Sequence, residues 1–297
     1  MKFGGQLLTA VCAILLLSAP NLEGQPYRIS AVRYGNLSDF SLRGLLPDAG
    51  EDETVDIALA FWLLESDDRT VLFDSGFFRQ AWLEQFDVSD FLRPDRAVRE
   101  AGVDPGEVTD IVISHAHWDH MGGIELFPTA TIWIQAEEYA YYTGPAWQAD
   151  GRSGGIDRED IRHLVDRNLD GGVRLIEGDG IEILPGLKVH TGARHTWASQ
   201  FVEVVGDPTW ILASDNAYLY RGLRERRPSA TFSPSDRDAN LRAMAEMLEL
   251  AGDTLHVIPG HDAMQFERFP STGPRVVRIT QPSPPPRPPG PRDPAYR

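Results

Sequence analysis

Between Ser114 and His120 the chain reads Ser-His-Ala-His-Trp-Asp-His, which places four side chains able to bind metal within six residues. The cluster follows Asp110-Ile111-Val112-Ile113, an apolar run that reads as a buried strand. Its ligands therefore stand on the loop at a strand's C-terminal end, where the chemistry of α/β proteins is usually housed. Imidazole together with carboxylate suits zinc, iron, manganese or cobalt, and no nearby thiol supports a structural zinc knot. In this order His115 and His117 can grip one ion while Asp119 and His120 turn toward a second.

A two-ion site needs more ligands, and the sequence supplies candidates. His195 follows the strand-like run 187–191 and a Gly-containing turn; Asp215 follows the run 210–214; His261 follows the run 255–260. Any one of these, taken alone, is best read as a turn or cap residue, because Asp and its relatives favour turns. Repeated at four strand exits, the same layout points to a metal centre.

With these positions in view, the chain resembles the metallo-β-lactamase superfamily, whose signature is H-x-H-x-D-H followed by His, Asp and His in this order. The resemblance covers roughly residues 27–269 and takes in Val71-Leu72-Phe73-Asp74-Ser75-Gly76, which is similar to the family's first motif. It implies an α/β fold, a four-layer αββα sandwich, with a two-metal site on one edge between two similar halves; no sequence repeat links those halves. Carried over by position, His115, His117 and His195 would bind one ion and Asp119, His120 and His261 the other, with Asp215 bridging. Asp74 is read as an outer carboxylate that orients the ligand loop. The cofactor expected is two divalent transition-metal ions, zinc first, with iron, cobalt and manganese as alternatives.

The ends of the chain have a different character. Met1-Lys2 followed by the apolar run 7–19 reads as a secretory signal peptide, with a basic start and an apolar stretch too short to span a bilayer. An uncleaved anchor is the alternative. Cys12, the only cysteine, lies inside that run, so the mature chain would carry no thiol. The expected organisation is a signal peptide over 1–24, a catalytic domain over 25–275 and a Pro-rich disordered tail over 276–297, in an enzyme exported to the periplasm or beyond. No stable membrane span is expected once the leader is removed.

A net charge of −16 disfavours a polyanionic substrate, so nucleic acid is not an expected partner. The one concentrated basic run, 221–227, reads as a solvated loop. Gly151-Arg152-Ser153-Gly154-Gly155 matches the G-x-S-x-G pattern but lacks the preceding strand that a serine nucleophile requires. Helices are expected over 136–142, 158–168 and 236–250, the last with one apolar face. Trp147, between the first two, is a candidate for substrate contact, and Phe77 and Phe78 for lining an apolar pocket. His163, His190 and His256 fit no ligand pattern and read as structural.

Tyr218 stands three residues beyond Asp215. That spacing is similar to the N-acyl homoserine lactonases, in which a tyrosine after the bridging Asp points its hydroxyl at the lactone carbonyl. The resemblance implies a small-molecule lactone or ester substrate, with Tyr218 and Asp119 as catalytic residues: the phenol stabilising the oxyanion, the carboxylate protonating the leaving alkoxide. The segment Gly192-Ala193-Arg194-His195-Thr196-Trp197 departs from the Pro-Gly-His-Thr-x-Gly-His form common in those enzymes. Other metallo-hydrolases acting on a β-lactam, aryl ester or thioester, a mononuclear iron sulfur dioxygenase, and a non-catalytic metal-binding module remain alternatives.

Overall fold

Apolar side chains on the inner strands alternate between two different cores, which is why these strands read as unbroken hydrophobic runs. The computed structural model describes residues 26–192 and 194–280. The expected signal peptide, 1–24, and the stretch 281–297 lie outside the described residues.

Thirteen strands are described: β1 (Arg28–Ser41), β2 (Thr54–Glu65), β3 (Thr70–Phe73), β4 (Asp110–Val112), β5 (Thr131–Gln135), β6 (Val173–Ile176), β7 (Ile181–Leu184), β8 (Leu187–Thr191), β9 (Gln200–Val204), β10 (Trp210–Ser214), β11 (Val257–Pro259), β12 (Ser271–Gly273) and β13 (Val276–Arg278). They form an eight-stranded sheet in the order β12-β13-β1-β2-β3-β4-β5-β6 and a five-stranded sheet in the order β11-β10-β9-β8-β7. β3 to β6 run parallel, as do β10 and β11.

The period of two sorts each strand's side chains between layers. Trp62, Leu64, Val71, Phe73 and Val112 of the large sheet meet Val189, Val202, Val204, Trp210 and Leu212 of the small one. The alternate residues Leu59, Phe61, Leu63, Leu72 and Ile111 face the helices that cover the large sheet. On the small sheet, Phe201, Ile211 and Ala213 pack under Ala243, Met244, Met247 and Ala251 of the helix Arg237–Ala251. The layers are therefore helix, sheet, sheet, helix, as expected.

Helices Ala136–Tyr142 and Arg158–Leu169 fall where the sequence places them. One boundary is corrected. β13 lies within 276–297, the segment assigned to the tail, yet it pairs antiparallel with β1 through Ala31↔Val277 and Val32↔Val276. Val276 and Val277 are buried, so the folded domain extends past 275 because these two residues bury apolar surface on the sheet edge. No helix among the described residues is long and apolar enough to cross a membrane.

Candidate metal centre

Five strand exits converge on one edge of the sandwich. β3 runs into Asp74, β4 into the 114–120 loop, β8 toward His195, β10 into Asp215, and β11 into His261. The short helix Trp118–Met121 begins within the ligand loop and sets Asp119 and His120 side by side, with His117 as its N-cap residue. Gly260 makes the His261 loop possible: a Cβ there would lie 2.8 Å from Asp215 Oδ1 and from the Ser214 carbonyl. A side chain at 260 would push His261 away from Asp215.

All seven expected ligands meet here. His115, His117, His195 and Asp215 form one group with donor atoms within 4.8 Å of one another; Asp119, His120 and His261 form a second. His117 Nδ1 lies 3.0 Å from His115 Nε2 and 3.0 Å from His195 Nε2. Asp215 divides its oxygens between the groups. Oδ2 lies 3.3 Å from His195 Nε2 and 3.6 Å from His115 Nε2, while Oδ1 lies 3.0 Å from His261 Nε2 and 3.4 Å from His120 Nε2. Asp119 Oδ2 completes the second group at 3.4 Å from His120 Nε2 and 3.6 Å from His261 Nε2.

The outer nitrogens show which way the rings face. His120 Nδ1 lies 2.8 Å from Asp74 Oδ2, His115 Nδ1 2.8 Å from Ser114 Oγ, His195 Nδ1 2.9 Å from the Ala230 carbonyl, and His261 Nδ1 3.0 Å from the Ala58 carbonyl. With Nδ1 engaged, these four rings turn Nε2 inward; His117 alone presents Nδ1. His120 Nε2 and Asp215 Oδ1 are buried without a hydrogen-bond partner among the described residues. Leaving such atoms unpaired in a protein interior is costly, and a divalent cation among them removes that cost. The donor set fits two borderline or hard ions.

The electrostatics divide the two groups: burial opposes protonation of His120 and His261, yet the Asp215 and Asp119 carboxylates raise His120 well above its ordinary value and raise His261 as well, a positive charge that a bound cation would replace. Burial, then the neighbouring His195, pushes the His117 pKa down to about 3, and burial with neighbouring imidazoles holds His115 well below its ordinary value. Neutral imidazoles are what a metal ligates. Burial opposes ionisation of Asp215, yet His120 and His261 hold its carboxyl well below the usual carboxylate range.

Asp74 acts as the expected organiser of the loop. It is fully buried at φ 64°, and its carboxylate accepts from Ser114 N at 2.8 Å, Ser114 Oγ at 2.9 Å and Ser214 Oγ at 3.0 Å, besides its contact with His120. A left-handed conformation at a non-glycine residue costs energy, and these contacts hold it. Glu138, which sequence reasoning missed, does the same for a second junction. It is fully buried and accepts from Ala116 N at 2.9 Å, Thr196 Oγ1 at 2.6 Å and Ala198 N at 2.6 Å, tying the 114–120 loop to the His195 loop. Burial raises its pKa to about 7.

Tyr218 reaches the centre. Its hydroxyl is 3.4 Å from both ring nitrogens of His195, and its ring stacks on His261 at 5.8 Å. Burial and the nearby Asp215 and Asp119 carboxylates raise its pKa well above the ordinary value, so the phenol keeps its proton.

A cavity of about 670 Å³ opens beside the His195 loop, lined among others by Tyr141, Arg152, Arg194, Trp197 and Phe232. Tyr141 and Trp197 stack at 4.1 Å, and Arg194 lies 4.4 Å over the Trp197 ring. Trp147 lines a separate cavity of about 350 Å³ with Arg158, Ile161 and Arg162. Phe77 is corrected from pocket wall to core: it is fully buried, with Trp118 edge-on at 4.4 Å and Tyr34 at 5.8 Å. Phe78 is half-buried beneath the Arg79 guanidinium. The basic run pairs with acids, Arg221 with Glu53 and Glu225, and Arg227 with Glu225. His163, His190 and His256 join neither donor group.

An αββα sandwich with paired histidine and aspartate donor groups at its edge defines a class of metal-dependent enzymes. The metallo-beta-lactamase superfamily model matches residues 60–261, and the chain belongs to that superfamily. It is 44% identical over 176 residues to the N-acyl homoserine lactonase AttM of Azorhizobium caulinodans, an alignment covering 58% of this chain and 65% of that protein. The chain thus spans just under two thirds of the AttM relatives it matches. Among solved structures, a quorum-quenching N-acyl homoserine lactone lactonase superposes with TM-score 0.68 at 20% identity, covering 86% of this chain and 100% of that one. AidC, a dizinc quorum-quenching lactonase in complex with a hexanoyl-homoserine product, gives TM-score 0.60 at 15% identity, covering 86% and 98%.

Proposed function

We propose that this chain is a dinuclear metal-dependent hydrolase that opens a lactone ring, with N-acyl homoserine lactones as the substrate class and zinc as the resident ion. The observation that carries the reading is Asp215, with one carboxylate oxygen turned to each donor group, and the Tyr218 hydroxyl beside the same pair. The AttM relatives and the dizinc neighbour support the choice of substrate and metal.

His115, His117 and His195 would hold one ion, Asp119, His120 and His261 the other, and Asp215 both. Two such ions supply the Lewis acidity that polarises an ester carbonyl and the lowered pKa that makes water a nucleophile near neutral pH. Water adds its oxygen to the lactone carbonyl carbon while the Tyr218 hydroxyl donates to the developing oxyanion. The ring C–O bond then breaks, and Asp119 passes the proton taken from that water to the departing alkoxide. Ring opening thus consumes one water and leaves a carboxylate and a hydroxyl on one product. The stacked Tyr141 and Trp197 offer an apolar wall for the acyl chain.

The basic start and short apolar run of residues 1–24 support export, with the leader removed. Metal content measured together with turnover on a lactone, an aryl ester, a thioester and a β-lactam tests the reading. Two ions per chain and preference for the lactone are expected. A single iron with oxygen consumption would assign the chain to the dioxygenase class instead, and preference for another substrate would move it to a different hydrolase.

A further inference from the structure

His190 lies outside the dinuclear centre, on β8, beneath the helix Arg237–Ala251, with its ring stacked on Phe201 at 5.0 Å. It is 6% exposed. Its Nε2 lies 2.8 Å from the buried Glu203 Oε2, a contact in which Nε2 donates to the carboxylate and Nδ1 faces the opposite way. Nδ1 is buried and has no hydrogen-bond partner among the described residues. It points between two carboxylates from other elements: Asp179 Oδ1, on the β6–β7 connection, at 3.9 Å and Glu246 Oε1, on the helix, at 3.8 Å.

We propose that Asp179, His190 and Glu246 form a third, separate site for a divalent transition-metal ion, with Glu203 orienting the imidazole from behind. Their donor atoms lie within 4.8 Å of one another. A tetrahedral ion bonded at about 2.0–2.2 Å holds its donors roughly 3.3–3.6 Å apart, so the 3.9 and 3.8 Å approaches to His190 Nδ1 need shorten by only a few tenths of an ångström, with the two exposed carboxylate arms free to close on each other. A proton on Nδ1 would not satisfy this geometry, because both carboxylates stand beyond hydrogen-bond reach. A cation is attracted by both. Two carboxylates balance its charge of two, and the carboxylate–imidazole–metal relay through Glu203 is the arrangement that fixes histidine ligands elsewhere. Asp179 is already anchored, since its Oδ1 accepts from Thr191 N at 2.7 Å and Thr191 Oγ1 at 3.1 Å. Imidazole with carboxylates favours zinc, cobalt or manganese over calcium or magnesium. An ion here would fasten the helix to β8 and to the loop before β7, acting as a structural clasp on the small sheet.

The test uses full-length protein saturated with zinc and then desalted, with zinc per chain measured by elemental analysis. Three ions are expected for the parent and two for Glu246→Ala, with hydrolysis by the dinuclear centre unchanged in that variant. Glu246 is a partly exposed helix residue, so alanine there should leave the fold intact, which the melting curve of the variant checks. His115→Ala, which damages the other centre, should still lose a further ion when combined with Glu246→Ala, which separates this site from the proposed hydrolase chemistry. Thermal melting should rise on adding zinc to metal-stripped His115→Ala, and rise less in the double variant. Two ions in the parent, or equal zinc in the parent and Glu246→Ala, overturns the proposal.

Discussion

Tyr218→Phe separates an oxyanion donor from a packing aromatic, because the structure assigns the ring and the hydroxyl different work. The ring stands edge-on to His195 at 5.4 Å and stacks on His261 at 5.8 Å, contacts that phenylalanine keeps. The hydroxyl approaches both His195 ring nitrogens at 3.4 Å, at the limit of a hydrogen bond, and lies beside the Asp215 carboxylate, so its removal should cost about 1 kcal/mol of stability. If the same hydroxyl meets the developing oxyanion, its loss should lower kcat on a lactone by roughly 10- to 1,000-fold, equivalent to about 1.4–4 kcal/mol of transition-state stabilisation. The assay is steady-state turnover on an N-acyl homoserine lactone, with metal content and melting temperature measured on the same preparation. A fall in kcat with two ions and a nearly unchanged melt is the expected result. Unchanged turnover would refute the role of the phenol, and lost metal would show that Tyr218 acts through His195 instead.

Asp74→Asn turns an amide nitrogen toward the donors Asp74 now accepts, His120 Nδ1 or Ser114 N, so metal affinity in a chelator competition should fall about 10- to 100-fold; equal affinity would contradict the orienting role. Burial raises the Glu138 pKa from its ordinary 4.5 to about 7 in the folded protein, so the folded state binds its proton more tightly than the unfolded chain. Its contribution is therefore greatest below pH 4.5 and is lost as pH rises through about 7, a change of about 3 kcal/mol. Urea unfolding of the parent and Glu138→Gln across that range should give curves that diverge with pH, and parallel curves would show that burial does not perturb this group. Gly123→Ala would bring a Cβ to 2.0 Å from the Ser75 carbonyl oxygen, so it should destabilise by roughly 1–3 kcal/mol or more, read as a lower melting temperature.

The ligand set was legible because metal chemistry restricts residue identity without reference to neighbours. Only a few side chains bind a divalent ion, and placing them at successive strand exits leaves a pattern in the sequence itself. The supporting residues lack that property. Glu138 sits beside Glu137 in the first turn of a helix, where an acid is favoured by the helix dipole whether or not it is buried. Only the approach of the His195 loop makes it a junction. The long pair β1–β2 also escaped notice, because register shifts between Arg33 and Gly35 and between Leu37 and Phe40 break the period of two that would reveal β1. Phe77 misled for the opposite reason: an aromatic after a motif looks like a pocket wall, and only the arrival of Trp118 and Tyr34 from other segments closes the space around it. The cavity wall follows the same logic, since Tyr141, Trp197 and Phe232 lie far apart in the chain and become one surface only through contact. Substrate preference within this superfamily is therefore expected to reside in residues that sequence spacing cannot pair. Under the proposed lactonase reading, exchanging Trp197 or Phe232 should alter which acyl chain is turned over in a panel of lactones while leaving the metal content of the centre as it was, and an unchanged panel would remove these residues from the substrate wall.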